Sequence, residues 1–188
     1  MTIQTLSNNE PYLDIRTKIN DNFGDVKNGG FIDYNDTATA ATPITLTAGV
    51  WTQVTNDGLG AFSNSTYAPP GVTTLMDTST GSFDPRELTL GDVMFIRNDF
   101  TVTPSVNNCS LEIRYTLGTG AGAYTLSKQD ATLTRGAGIG YRIALNTDKI
   151  YMGDTNTRDN LIGLEVKLSV NGTLVNAGSV ISILRYTI

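Results

Sequence analysis

The stretch Leu111-Glu112-Ile113-Arg114-Tyr115-Thr116-Leu117 decides the fold class of this chain. Every odd-numbered position in it is apolar and every even-numbered position is polar. Successive side chains of a β-strand point to opposite faces, so this alternation predicts a strand with one buried face and one face in water. Residues 162–170 alternate in the same way, with the apolar residues at even positions, and predict a second strand of this kind.

The residues between such segments are typical of tight turns. Asn171-Gly172 directly follows the second strand and is the signal for a two-residue hairpin. Gly, Asn and Thr are abundant in the 188 residues, whereas blocks of strong helix formers are missing. Roughly ten short strands at intervals of roughly 8–15 residues, without helices between them, predict a mainly β protein with a jelly-roll β-sandwich.

One segment, residues 9–26, predicts a helix in front of the strands. Its large apolar residues recur at spacings of three and four, which places them on one stripe about 80° wide. These residues are Tyr12, Ile15, Ile19, Phe23 and Val26. A helix of about 16 residues is marginal alone in water, so this stripe needs a surface to cover it. The surface is either the β-domain of the same chain, or copies of the helix or another protein.

The chain between this helix and the first predicted strand is small and polar. Residues 29–42 contain mostly Gly, Asp, Asn, Thr and Ala, and we interpret them as a linker or an extended arm. The predicted division of the chain is therefore an N-terminal helix and arm at residues 1–42 and a β-domain at residues 43–188.

The last predicted strand, residues 180–188, differs from the others because both of its faces are apolar. Val180, Leu184, Tyr186 and Ile188 share one face, and Ile181 and Ile183 share the other. A strand that is apolar on both sides lies either inside a sandwich or at a contact between subunits. Leu184, Tyr186 and Ile188 are thus the candidate residues of a subunit interface.

The sequence offers little for catalysis or for metal binding. It has no His, which is the commonest general base and metal ligand, and its single cysteine, Cys109, has no basic neighbour. The glycine-rich residues 118–122 are followed by neither a helix nor the Gly-Lys pair of a phosphate-binding loop. Residues 154–160 resemble a calcium loop, but Arg158 occupies a ligand position. We predict no enzyme activity, no catalytic residue, no metal and no cofactor.

Charge and hydropathy narrow the range of partners. The net charge is −5 and the 13 Lys and Arg residues are scattered, whereas a nucleic-acid surface needs a clustered basic patch. No stretch approaches the ~18–20 apolar residues of a membrane span, and no signal peptide is expected. We therefore predict no nucleic-acid binding and no membrane insertion.

Two parts of the chain resemble known proteins. Lys18-Ile19-Asn20-Asp21-Asn22-Phe23 resembles the K-I-N-x-N-F segment near the amino end of many fibre and head-fibre proteins of tailed bacteriophages. The body, from residues 44–51 through residues 90–97 to the last strand, resembles the trimeric jelly-roll domains of phage fibres and decoration proteins, which are akin to tumour-necrosis-factor-like trimers. The resemblance implies a homotrimer in the virion, attached to capsid or tail proteins by the N-terminal segment and assembled in the host cytoplasm.

A second hypothesis is a receptor-binding module that recognises a glycan or a protein on the host surface. Its loops would supply the contacts, with Tyr67 and Tyr124 as candidate stacking groups for a ligand. Trp51 alternates within a strand, and we expect it in the core instead.

Overall fold

The structure is a computed structural model that describes residue 18 and residues 29–186, with Asn146 by its backbone alone. The predicted helix at residues 9–26 lies outside the described residues except for Lys18. The same holds for its apolar stripe of Tyr12, Ile15, Ile19, Phe23 and Val26, and for the interface candidate Ile188.

The described residues form eleven strands and very little helix. The strands are β1 Gly29–Asn35, β2 Ile44–Leu46, β3 Trp51–Gln53, β4 Met76–Asp77, β5 Ser82–Phe83, β6 Val93–Pro104, β7 Cys109–Leu117, β8 Tyr124–Leu133, β9 Tyr141–Tyr151, β10 Gly163–Leu168 and β11 Gly172–Leu184. Short helical turns cover Ala38–Ala41, Gly120–Gly122 and Thr155–Arg158.

Two antiparallel sheets form a sandwich. The front sheet has the strand order β1-β11-β6-β9, with β2 also paired to β11, and the back sheet has the order β3-β10-β7-β8. The chain crosses between the sheets after β2, β3, β8, β9 and β10, and again between β6 and β7, so sheet neighbours are mostly distant in sequence. This is the jelly-roll arrangement, and the predicted fold class is confirmed.

The core lies between the sheets and follows the predicted alternation. In β7 the odd-numbered residues of the segment that predicted the fold are buried and the even-numbered ones are half-buried. The β10 residues Leu164, Val166 and Leu168 are buried in the same way. The front sheet contributes Ile32, Met94, Ile96, Phe100, Ile150, Ile181 and Ile183 to the same core.

The linker interpretation of residues 29–42 is wrong. Residues 29–35 form β1, which pairs with β11 along its whole length from Gly29 opposite Leu184 to Asn35 opposite Gly178. Ile32 and Tyr34 are buried in the core. The alternation of Ile32 and Tyr34 with polar or exposed neighbours covers only five residues. It is therefore too short to stand out from the polar residues that follow it. The β-domain therefore includes residues 29–42.

A polar network holds the turn after β1, and its contacts are buried at Asn176 and exposed at Asp57. The side chain of Thr39 accepts a hydrogen bond from the backbone N–H of Asn176 at 2.8 Å and donates to its carbonyl oxygen at 3.1 Å. The carboxylate of Asp57 accepts from the backbone N–H groups of Thr37 and Ala38 at 3.0 and 3.1 Å. These contacts attach the helical turn Ala38–Ala41 to the front sheet.

Replacement of Asn176 by Ala is expected to destabilise the protein by about 3 kcal/mol, because three groups in or near the core would lose a hydrogen bond. Asn176 is 2% exposed and lies at a bulge in the pairing of β11 with β6. Its Nδ2 donates to the carbonyl of Thr55 at 2.9 Å. Its Oδ1 accepts from Asn98 Nδ2 and from the backbone N–H of Gly178, both at 3.1 Å.

Urea denaturation measures this loss. The matched control is Asn107→Ala in an exposed turn, which should change the free energy of unfolding by less than about 0.5 kcal/mol. A loss below about 1 kcal/mol for Asn176→Ala would mean that the network does not support the sheet.

Candidate assembly surface

The outer faces of the two sheets differ in chemistry, and that of the back sheet is charged at its centre. Its outward side chains form ion pairs across neighbouring strands, between Arg114 and Glu165 at 2.7 Å and between Lys167 and Glu112 at 2.7 Å. The ring of Trp51 lies beneath two of these cations, 3.9 Å from the guanidinium carbon of Arg114 and 4.8 Å from Lys167 Nζ. Trp51 is thus half-buried on this charged surface, and its predicted place in the core is wrong.

The front sheet carries apolar side chains on its outer face where β1 begins and β11 ends. Leu184 pairs with Gly29 on one side and with Val93 on the other, and Val93 pairs with Tyr151 of β9. Directly opposed residues of antiparallel strands point to the same face. Because Gly29 has no side chain, Leu184 remains 53% exposed, and Tyr151 is 58% exposed.

The next row of the sheet continues this surface. Ser182 pairs with Phe31 on β1 and with Phe95 on β6. The ring of Tyr67 stacks on Phe31 with the ring centroids 5.2 Å apart, and the backbone N–H of Phe31 donates to the carbonyl of Tyr67 at 2.9 Å. The loop before Val72 thereby adds an aromatic ring to the sheet face.

Tyr186 extends the surface beyond the end of β11. It is 72% exposed, and its backbone N–H donates to the buried carboxylate of Asp92 at 2.9 Å. The side chain of Arg185 approaches the same carboxylate at 3.4 Å and also donates to the carbonyl of Pro70. We call the apolar side chains of these rows, together with Tyr67 and Tyr186, the apolar face; the same rows also contain Ser182 and Lys149, and Val93 is 8% exposed. The apolar face consists of Phe31, Tyr67, Val93, Phe95, Tyr151, Leu184 and Tyr186.

A contiguous apolar patch on an outer sheet face is typical of a surface that contacts another molecule, whereas single exposed apolar residues are ordinary. The interface candidates Leu184 and Tyr186 both lie on this patch. Phe31, Val93, Phe95 and Tyr151 were not predicted. The signal for Val93 and Phe95 was present, because the segment 93–96 is apolar on both of its faces.

The two candidate ligand contacts lie on different sheets. Tyr67 belongs to the apolar face, beside the front sheet. Tyr124 begins β8 at the edge of the back sheet, and its hydroxyl lies 3.1 Å from Thr157 Oγ1. The loops that flank Tyr124 contact each other, since the backbone N–H of Thr119 donates to Asn156 Oδ1 at 3.1 Å. The structure therefore does not join the two tyrosines into one site.

A polar depression of about 220 Å³ adjoins the apolar face at the next rows of the front sheet. Its lining includes Asp33, Asn35, Phe62, Arg97, Asp99 and Val180. Arg97 and Asp99 form an ion pair at 2.9 Å. Burial raises the pKa of the Asp33 carboxyl, and the positive charge of Arg97 offsets part of that rise.

The described part of the chain offers little for metal binding, membrane insertion or thiol chemistry. It contains no group of three or more His, Cys, Asp or Glu residues placed to hold a metal ion. None of its helices is long and apolar enough to cross a membrane. Cys109 is buried, and burial raises the pKa of its thiol, which keeps it in the unreactive protonated form.

Comparison with known proteins gives similarity at the level of structure alone. No protein-family model matches the chain, and no curated protein matches it.

Among solved structures, the sandwich is similar to a chain of infectious bursal disease virus, Gt strain (TM-score 0.45, 13% identity, 85% of this chain and 32% of that one). For a chain of the Gx strain of that virus, the TM-score is 0.44 and the identity is 13%, over 84% of this chain and 32% of that one. Eiger TNF from S. frugiperda is also similar, with a TM-score of 0.46 and 11% identity over 85% of this chain and 92% of that one. This chain thus spans about a third of the viral chains. At these identities the similarity concerns the strand arrangement and assigns no function.

Proposed function

We propose that this protein is a structural component of a tailed-bacteriophage virion. It is a homotrimeric fibre or capsid decoration protein, anchored by the segment before Gly29 and exposing its β-domain. The observation that carries the proposal is the apolar face of the front sheet, set against the ion-paired outer face of the back sheet. The resemblance of residues 18–23 to the K-I-N-x-N-F segment of phage fibre proteins supports the location in a virion.

The apolar face supports self-association. Removal of apolar surface from water drives most protein association, at about 25 cal/mol per Å². A lone chain in water would leave Leu184, Tyr151 and Tyr186 exposed together. Most soluble assemblies of identical chains are closed and symmetric, so a second copy is the natural cover. The number three comes from the resemblance to trimeric jelly-roll domains.

The position of Gly29 supports the anchoring role. The chain enters the front sheet at Gly29, beside Leu184, which lies at the centre of the apolar face. In a cyclic assembly built on this face, the Gly29 residues of all copies lie at the same end. Several copies of one attachment segment would then reach the particle together, which strengthens attachment through multivalency.

Immunoelectron microscopy of intact particles tests the proposal. An antibody raised against the outer face of the back sheet should label the particles regularly, and the position of the label distinguishes a head from a tail location. If purified particles contain no trace of the protein by mass spectrometry, the proposal is wrong.

A second candidate function is recognition of a host surface glycan or protein. Tyr124 favours it, because this ring is 41% exposed beside the two contacting loops of residues 118–123 and 154–160. Binding of the purified protein to host cells and to a glycan array tests this function. Uniformly negative results would leave a purely structural role.

A further inference from the structure

Four loops meet at the end of the sandwich that lies opposite Gly29. The strand β11 begins at Gly172, beside Leu46 and Pro104, and it ends at Leu184, beside Gly29. The loops at the Gly172 end connect β2 to β3, β6 to β7, β8 to β9 and β10 to β11. We call these loops together the tip, which comprises residues 47–50, 105–108, 134–140 and 169–171.

Hydrogen bonds join the four loops of the tip. The carbonyl of Asn171 accepts from the backbone N–H of Ser105 at 2.8 Å, and Asn171 Oδ1 accepts from the backbone N–H of Ala48 at 2.9 Å. The backbone N–H of Gly138 donates to the carbonyl of Pro104 at 2.8 Å, at the end of β6. The tip is therefore one continuous surface and not a set of separate loops.

Three aliphatic side chains of the tip are exposed to water. Val50 is 50% exposed, Val106 is 46% exposed and Ile139 is 45% exposed, and each belongs to a different loop. Single exposed apolar residues are ordinary, whereas several on adjoining loops are typical of a surface that contacts another molecule.

The tip is also almost free of charge. None of its residues is acidic, although the chain contains 18 Asp and Glu residues and has a net charge of −5. Arg135 is its only charged residue. The guanidinium carbon of Arg135 lies 5.5 Å from the ring centre of Tyr141, and Arg135 forms no ion pair with a described residue. At the opposite end of the sandwich, the loops carry Asp84, Glu87, Asp92, Asp154 and Asp159.

This composition indicates the class of partner. The centre of a protein–protein contact is depleted of charged residues but enriched in arginine. A sugar-binding site usually stacks an aromatic ring on the sugar, and the four loops contain no aromatic residue. The ring of Tyr141 beside Arg135 is itself buried. The tip therefore suits a protein better than a glycan.

We propose that the tip binds a protein of the host surface, through an apolar patch that also presents a carboxylate to Arg135. Val50, Val106 and Ile139 leave water in this contact. The inference rests on the proposed attachment by the segment before Gly29, because a chain held at that end points its tip away from the particle. Several copies held at the same end present several tips together, so a weak contact for each copy suffices.

The variants Val106→Asp and Ile139→Asp test the tip, because each places a carboxylate where the contact is apolar. Flow cytometry of intact host cells with the fluorescently labelled full chain measures binding. We expect the apparent dissociation constant to rise at least about tenfold for each variant, and equally for Arg135→Glu. The matched control is Leu59→Asp, since Leu59 is 74% exposed outside the tip, and it should bind like the wild type. Thermal melting and size exclusion check that every variant folds and assembles.

Treatment of the host cells identifies the class of ligand. Digestion of the cell surface with proteinase K should abolish binding, whereas periodate oxidation of the surface glycans should leave it unchanged. Binding that survives the protease, or that is lost after periodate, would overturn the proposal. A wild-type chain that does not bind, or tip variants that bind like the wild type, would also overturn it. The virion role is tested separately by the presence of the protein in purified particles.

Discussion

Replacement of Leu184 by Asp is expected to dissociate the assembly into folded monomers at micromolar concentration. Leu184 is the central side chain of the apolar face, between Gly29 and Val93. A carboxylate at this position would be buried without a partner when two copies meet, which costs about 3–5 kcal/mol. The dissociation constant should therefore rise by about 10² or more. Light scattering coupled to size exclusion measures the mass directly.

The fold should survive this change, because Leu184 is half exposed and makes no part of the core. The matched control is Val50→Asp, since Val50 is 50% exposed in the turn before β3 of the back sheet. This control should assemble like the wild type. Normal assembly of the Leu184→Asp protein would show that the apolar face is not the contact surface.

Two N-terminal deletions should differ sharply. Removal of residues 1–28 leaves every described strand in place, so the protein should fold and assemble. Removal of residues 1–42 takes away β1 with Ile32 and Tyr34, and also Thr39, whose side chain holds the backbone of Asn176. Loss of large buried side chains costs about 2–5 kcal/mol each, so the total exceeds about 5 kcal/mol and suffices to unfold a typical domain.

Circular dichroism and thermal melting separate the two deletions. A folded protein with wild-type melting temperature after removal of residues 1–42 would contradict the place of β1 in the sheet. The shorter deletion tests the anchor as well, because a folded assembly without residues 1–28 should be absent from particles. Normal incorporation of this deletion would contradict the attachment role.

The sequence predicted the strands whose alternation is long and regular. Residues 111–117 and 162–170 could be read directly, because each contains a strand that is half-buried in an antiparallel sheet, although the second strand covers only Gly163–Leu168. β1 escaped prediction since its alternation spans five residues between two glycines and a polar turn. Its stability comes from pairing with β11, almost 150 residues later in the chain, and periodicity carries no information about such a partner.

The candidate surface was also predictable only in part, because strand pairing brings together residues that no single segment of the sequence connects. Leu184 and Tyr186 stood out because their strand is apolar on both faces. Tyr151 and Phe31 join them only through strand pairing, which places residues from four strands in adjacent rows. For Trp51 alternation predicted a half-buried strand, but it could not show that the ring lies on the charged outer face, over Arg114. The polar depression lies beside a bulge between Asn176 and Gly178, which no sequence pattern predicted.

The mass of the intact protein in solution tests the central claim most directly. Native mass spectrometry of the full chain at micromolar concentration should give a single species of three times the 20.2 kDa chain mass. A monomer at that concentration would contradict self-association through the apolar face, and with it the proposed trimeric virion protein.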